Sequence, residues 1–314
     1  MGKLLQQMSR DLLVPIHDLE YLARSAPYRY KVYEIEKRQA GSKRIIAQPA
    51  REVKRLQYWV IANILNHYPI HPASVAYRKG KSILNNAKPH SKKRFLLKLD
   101  FKDFFHSITA IDFEQFIRES KSEDIDESDV AYLTRILFWR MTRGGDLVLS
   151  IGAPSSPLLS NILLHEFDHR VAEYCKPIRV AYTRYADDLT FSTNRNDVLR
   201  LVEAEVERIC HGLPYPRLTL NPQKTIHASK ANLRRVTGLV LSNDGSVSIG
   251  HERKRQLHAA VHHFKLGKLS PDETTALTGM LAFVHSVEPK FLRTLARRYG
   301  KNVVVKLLKG SHSE

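Results

Sequence analysis

Two adjacent acids, Asp187 and Asp188, sit inside the run Tyr182-Thr183-Arg184-Tyr185-Ala186-Asp187-Asp188-Leu189-Thr190-Phe191. Ionised carboxylates side by side repel by about 1 kcal/mol at 4 Å in water and several-fold more where the dielectric falls, so a bound divalent cation reverses the sign of the interaction. Taken alone, an Asp-Asp pair reads first as a solvated turn. A third acid favours the metal reading: Asp100 ends the apolar run Phe95-Leu96-Leu97-Lys98-Leu99-Asp100 and is followed by Phe101-Lys102-Asp103-Phe104-Phe105. Magnesium takes hard oxygen ligands and is held by a few carboxylates plus substrate phosphates. Asp100, Asp187 and Asp188 suit it, and Mn²⁺ is a substitute for Mg²⁺. Two such ions about 3.5 to 4 Å apart activate an attacking hydroxyl and stabilise a leaving pyrophosphate in one in-line displacement. Asp103, expected to point away from Asp100, reads as structural.

These acids need elements that project them to one place. Val180, Tyr182, Tyr185, Leu189 and Phe191 predict a β-hairpin whose short turn carries both aspartates. The Phe95–Asp100 run predicts a buried strand. Further upstream a helix is expected over Met8 to Ala26. Tyr30 to Glu36 and Lys43 to Ala47 alternate around Gln39-Ala40-Gly41-Ser42 and read as a second hairpin. After Pro49, the positions Val53, Leu56, Val60 and Ile64 follow helical spacing. The acidic tract Glu119 to Asp129 reads as a solvated insertion. Leu158, Leu159, Ile162, Leu163, Phe167 and Val171 lie at helical spacing and are expected to pack under the sheet. Beyond Gly250 the chain turns helical and basic. No internal repeat or low-complexity linker marks independent domains.

The 314 residues are enough to bury a large core, and 50 Lys and Arg against 32 Asp and Glu leave a net charge of +18. Such a balance suits a polyanionic partner. The charge is clustered: Arg78, Lys79, Lys81, Lys88, Lys92, Lys93, Arg94 and Lys98 occur with no acid among them, and residues 251–314 hold 12 basic against 5 acidic side chains. Two cysteines, Cys175 and Cys210, exclude a disulfide framework. The interrupted apolar residues near the start do not form a signal-peptide core, Gln6 does not support myristoylation, and no membrane span is seen, so a cytoplasmic protein is expected. The histidines after residue 250 lack a compact set of Cys or acidic partners, which opposes zinc.

The motifs together resemble the reverse transcriptases, and within them those of bacterial retrons. Tyr185-Ala186-Asp187-Asp188 resembles the catalytic hairpin of that family. Leu99-Asp100-Phe101-Lys102-Asp103-Phe104-Phe105 resembles the strand bearing the first metal ligand. Ile151-Gly152-Ala153-Pro154-Ser155-Ser156-Pro157-Leu158-Leu159-Ser160-Asn161 resembles the loop and helix that hold the template base and incoming nucleotide. Asn86-Ala87-Lys88-Pro89-His90 and Val236-Thr237-Gly238 resemble the retron Asn-Ala-x-x-His and Val-Thr-Gly elements.

The resemblance implies an α+β right-hand polymerase with an antiparallel palm sheet packed on helices. Residues 1–94 would form an N-terminal helix and fingers. Residues 95–245 would form the palm, with a finger-like insertion around 112–146, and 246–314 an RNA-binding thumb. It implies an RNA-directed DNA polymerase with Asp100, Asp187, Asp188 and the Phe101 carbonyl on two metal ions. Lys224, in Leu220-Asn221-Pro222-Gln223-Lys224-Thr225, would protonate pyrophosphate, although a Lys at a strand end reads equally as structural. Arg44 would grip the triphosphate of a deoxynucleotide through its planar fork, with Lys43 or Lys37 adding a contact.

Phe105 would exclude a ribose 2′-hydroxyl, whereas on periodicity alone it is core. Gly152, Ala153 and Pro154 would form a shelf in which Gly152 lets the backbone approach a base pair. The family's usual Gln before this glycine is Ile151 here. Asn86, His90, Arg253, Lys254, Arg255, Arg297 and Arg298 would contact RNA. The partners implied are a cognate noncoding RNA, the cDNA made on it (multicopy single-stranded DNA primed from a branching guanosine 2′-hydroxyl), and a separately encoded effector in antiphage defence. A higher-order oligomer is compatible with this. No room remains for an RNase H or maturase domain of ordinary size. A group II intron-like reverse transcriptase, an RNA-dependent RNA polymerase and an RNA-binding scaffold are the alternatives. The absent maturase opposes the first, Phe105 and Ala186 the second, and the acidic trio the third.

Overall fold

The computed structural model describes residues 2–36, 43–120 and 125–309. In chain order its strands are β1 (Tyr30–Glu36), β2 (Lys43–Pro49), β3 (Phe95–Asp100), β4 (Trp139–Arg140), β5 (Leu147–Val148), β6 (Ala181–Tyr185), β7 (Asp188–Thr193), β8 (Ile226–Ser229), β9 (Arg235–Val236), β10 (Leu239–Leu241) and β11 (Val247–Ser248). The sheet that matters runs in the order β6-β7-β3-β8. β6 and β7 are joined by only Ala186 and Asp187, which an antiparallel pair allows and a parallel pair does not. The two central strands, β3 and β7, are the ones that carry the acids. Both are buried: β3 carries the near-continuous apolar run with Leu96, Leu97 and Leu99, while β7 alternates Leu189 and Phe191 with the equally buried Thr190 and Ser192.

The described residues form two compact units: 1–79, 97–191 and 197–226 in the first, and 80–96, 192–196 and 227–314 in the second. In the first, β1 and β2 pair antiparallel from Tyr30 opposite Pro49 to Glu36 opposite Lys43, as the alternation predicts. The turn expected at Gln39 to Ser42 lies outside the described residues. The helix expected over Met8 to Ala26 is instead two, Lys3–Leu12 and Ile16–Ser25. Leu13 turns left-handed at φ 53, and Pro15 can donate no backbone hydrogen bond to continue the first helix. Arg51–Asn63 forms the helix expected after Pro49.

The acidic tract is not a solvated insertion throughout. Asp126 caps the helix Glu127–Leu137 by accepting from the Asp129 amide at 2.8 Å, and Asp129 itself is 1% exposed. Residues 121–124 of that tract lie outside the described set. The helical pattern from Leu158 to Val171 also breaks, at Leu164, into Ser156–Leu163 and His165–Cys175. Phe167 of the second piece meets the Phe101 ring edge-on at 5.4 Å, beneath the acid-bearing strand.

The second unit has its own apolar core, built from Leu96, Leu239 and Leu241 of the strands with Leu257, Leu281 and Leu295 of the helices His251–Lys265, Pro271–Val287 and Pro289–Tyr299. Thr237 and Gly238, at φ 45 and 79, make a two-residue turn between β9 and β10, the conformation a tight hairpin requires. Thr237 Oγ1 donates to the Ile83 carbonyl at 3.4 Å, and the helix Ile83–Ala87 packs on both strands. The Asn86-to-His90 and Val236-to-Gly238 segments therefore meet inside one unit.

Candidate active site

Asp100 ends β3 and Asp188 begins β7, so neighbouring central strands deliver two carboxylates to the same sheet end, and the β6–β7 turn adds Asp187. The backbone locks this register. The Phe101 amide donates to the Asp187 carbonyl at 3.2 Å, and the Asn221 amide donates to the Asp100 carbonyl at 2.8 Å.

Ala186 holds φ 58 at the turn, a conformation that costs a residue with a Cβ about 1–2 kcal/mol. Arg184 supports it. Its guanidinium is 0% exposed, donates to the Ala186 carbonyl at 3.2 Å, and forms a two-pronged pair with Asp168 at 2.8 and 2.7 Å. Tyr182 donates to the same Asp168 at 2.6 Å, and Asn161 Oδ1 accepts from Arg184 and from Ser74. A buried network under the turn thus fixes where Asp187 and Asp188 begin.

The acids repel one another. Burial raises the Asp187 carboxyl to about 6, with the charges of Asp100 and Asp188 adding to it. Burial also raises Asp188; Lys98 opposes this, while the charge of Asp100 and a hydrogen bond with its carboxyl push the same way. Lys224 Nζ donates to Asp100 Oδ1 at 2.6 Å. Burial pulls the Lys224 ammonium down, but the contact with Asp100 and the charges of all three acids outweigh it and hold it above its ordinary value.

Among the described residues no three or more His, Cys, Asp or Glu stand together as a ready metal-binding group. The donor set is nevertheless what a hard divalent cation takes: carboxylate oxygens, partly buried, destabilised by each other's charge and countered only by lysines. The residues present fit such an ion. Asp100, Asp187 and Asp188 would hold it, with the carbonyl of Phe101, the residue that follows β3 and pairs antiparallel with Leu220.

Beside the acids lies a cavity of about 430 Å³. It brings together Lys43, Arg44, Phe105, Asp187 and Lys224, all expected at the site. Ile151 lines it as well, where an amide side chain is usual in the family. Lys43 is engaged with Glu34 across the β1–β2 hairpin at 2.7 Å, and Lys37 lies outside the described residues. Asp103 takes φ 47 and also lines the cavity.

Gly152 approaches β2 closely. A Cβ at its φ of 128 would stand 3.0 Å from the Ala47 carbonyl oxygen, and the Ala47 amide donates to the Ile151 carbonyl at 2.9 Å. Ala153 is buried and Pro154 half-buried behind it.

Tyr77 was not foreseen. It is 50% exposed at φ 60 and shares the cavity with Arg44 and Asp187. Its loop is pinned from behind, because the Asn161 amide donates to the Ala76 carbonyl at 2.9 Å and Arg78 to the Ser74 carbonyl at 3.1 Å. The Arg184–Asp168 pair was also missed. Its one sequence signal is an arginine inside a strand of aromatic and β-branched residues, which needs an acid beneath it once buried.

Of the residues expected on RNA, Asn86 and His90 are both 0% exposed, so their side chains do not reach a surface. His90 Nδ1 pairs with Ser192 Oγ at 2.7 Å, and burial pushes its imidazole down to about 3. Lys254 is committed to Glu288 at 2.5 Å. Arg253 lies over Phe283, while Arg255, Arg297 and Arg298 are exposed.

Residues 35–256 match the family model of reverse transcriptase, described as RNA-dependent DNA polymerase. The retron Ec83 reverse transcriptase of Escherichia coli is 42% identical over 94% of this chain and 95% of its own length. The retron Ec86 reverse transcriptase of the same organism is 35% identical over 95% and 91%. Among solved structures, telomerase from Candida albicans in complex with a fragment of telomeric RNA gives a TM-score of 0.48 at 14% identity, over 88% of this chain and 60% of that one. The acid-bearing hairpin and strand, the family model over residues 35–256 and the extent of the retron matches place the chain in one family: it is a bacterial retron reverse transcriptase, an RNA-directed DNA polymerase with the right-hand fold.

Proposed function

We propose that this enzyme copies its cognate retron noncoding RNA, starting from the 2′-hydroxyl of a branching guanosine, and yields multicopy single-stranded DNA joined to RNA. The observation that supports this most is the meeting of Asp100, Asp187 and Asp188 at one sheet end, beside a cavity that also takes in Arg44 and Phe105. Reverse transcriptases use divalent metal ions, and here they are Mg²⁺, with Mn²⁺ as substitute. When bound, two such ions activate the attacking hydroxyl and stabilise the leaving pyrophosphate.

The chain's own residues do the rest. Arg44 holds the triphosphate, Phe105 closes the space beside the sugar's 2′ carbon, and Lys224 leaves Asp100 to give a proton to pyrophosphate. Residues 1–94 serve as fingers, 95–245 as palm and 246–314 as thumb, where Arg255, Arg297 and Arg298 face the RNA backbone. The working form is a cytoplasmic ribonucleoprotein acting with a separately encoded effector in antiphage defence. Among the described residues no helix is long and apolar enough to cross a membrane.

The experiment is incorporation of labelled deoxynucleotides on the noncoding RNA encoded beside the gene, with and without Mg²⁺. The expected product is DNA that stays joined to RNA after denaturation and is freed by a 2′,5′ debranching enzyme. A product that debranching leaves unchanged contradicts the priming assignment, and no product contradicts the template assignment.

A further inference from the structure

Lys98 stands beside the acids with no role assigned to it so far. It precedes Asp100 by two positions on β3, so strand alternation puts both side chains on one face. Its Nζ lies 4.0 Å from Asp188 Oδ1, and its side chain is only 21% exposed. Lys224 differs on each count. It sits on a short turn, Pro222–Lys224, is 47% exposed and lines the nucleotide cavity, so it can swing away when a cation enters. Lys98 springs from a central strand and is not among the cavity's lining residues. Its charge stays.

A resident ammonium acts on the site in two ways. It draws the Asp188 carboxylate toward a fixed position, and it repels any cation that settles between the acids. That repulsion grows as the dielectric falls, so a partly buried lysine exerts more of it than an exposed one. With Lys98 counted, one divalent ion balances the three carboxylates, and a second lacks a counter-charge until phosphates arrive.

We propose that Lys98 is a positioning residue that holds Asp188 and weakens the nucleotide-free enzyme's grip on divalent cations, so that the second ion enters only when a triphosphate brings its own negative charge. This rests on the reading that Asp100, Asp187 and Asp188 are the metal ligands. A purely structural lysine predicts the opposite sign: its loss would loosen Asp188 and weaken metal binding.

The test titrates Mn²⁺ into the full-length chain without nucleotide or RNA, and follows free Mn²⁺ by electron paramagnetic resonance. Lys98→Met should bind Mn²⁺ about tenfold more tightly than the parent. Lys98→Arg should restore the parent affinity, and circular dichroism melts should show both folded. Lys98→Gln, which keeps a polar end, gives the same reading should the Met variant fail to fold. Affinity in the Met or Gln variant equal to or below the parent's overturns the role of Lys98. If Asp188→Asn in the parent leaves Mn²⁺ binding unchanged, the metal-ligand reading itself has failed and takes this proposal with it.

Discussion

Burial, reinforced by the charges of Asp100 and Asp188, holds the Asp187 carboxyl at about 6, above the 3.8 of a free side chain. The fold therefore binds that proton more tightly than the unfolded chain does, and the metal-free protein loses stability as pH climbs from about 4 through about 6. A divalent ion takes only the ionised form, so it returns stability above that window. Calorimetry should show Mg²⁺ raising the melting temperature by several degrees at pH 8 and hardly at all at pH 5; equal shifts at both would contradict the coupling. Phe105 makes a second prediction at this scale. Its ring is half-buried, edge-on to Phe104 at 5.2 Å, and lines the cavity beside the acids. Phe105→Ala should relax discrimination against ribonucleotides by roughly 10- to 100-fold in single-turnover incorporation, while unchanged rejection would remove Phe105 from that role.

The β6–β7 hairpin depends on an ion pair it does not expose. Arg184 ties the turn's Ala186 carbonyl to Asp168 on the helix His165–Cys175. Arg184→Met should cost about 3–5 kcal/mol in urea denaturation, because Asp168 is left buried without its partner; a cost below 1 kcal/mol would show that the pair does not support the hairpin. The hairpins themselves, the Phe95–Asp100 strand and the Arg51–Asn63 helix were legible in the sequence, since alternation and helical spacing report one-sided burial directly. The breaks at Leu13 and Leu164 were not, because apolar periodicity runs on through a short kink. Asp129 misled for a related reason: an acid in an acidic run looks solvated, and only the fold shows helix Glu127–Leu137 turning it inward. The Arg184–Asp168 pair was illegible because its partners lie on separate elements, and only tertiary packing brings them together.

Across the whole molecule, the segments most characteristic of the retron group turn out to build structure. Val236-Thr237-Gly238 is a tight turn braced on Ile83, and Asn86 and His90 are interior side chains of the same unit. The exposed arginines Arg255, Arg297 and Arg298, by contrast, leave their side chains at the surface, a distinction that sequence order alone does not draw. That Asp100, Asp187 and Asp188 come to one sheet end was legible from the strand and hairpin patterns around them, whereas Tyr77 was hidden in a loop without periodicity. The direct measurement of the central claim is deoxynucleotide incorporation on the cognate RNA by Asp100→Asn, Asp187→Asn and Asp188→Asn, with RNA affinity measured on the same preparations. Each substitution is expected to lower incorporation by at least about 10³-fold while RNA affinity stays within about twofold, because the basic side chains that would meet the RNA phosphates are untouched. Incorporation near the parent rate in any of the three would contradict the assignment of that acid to the metal-binding centre.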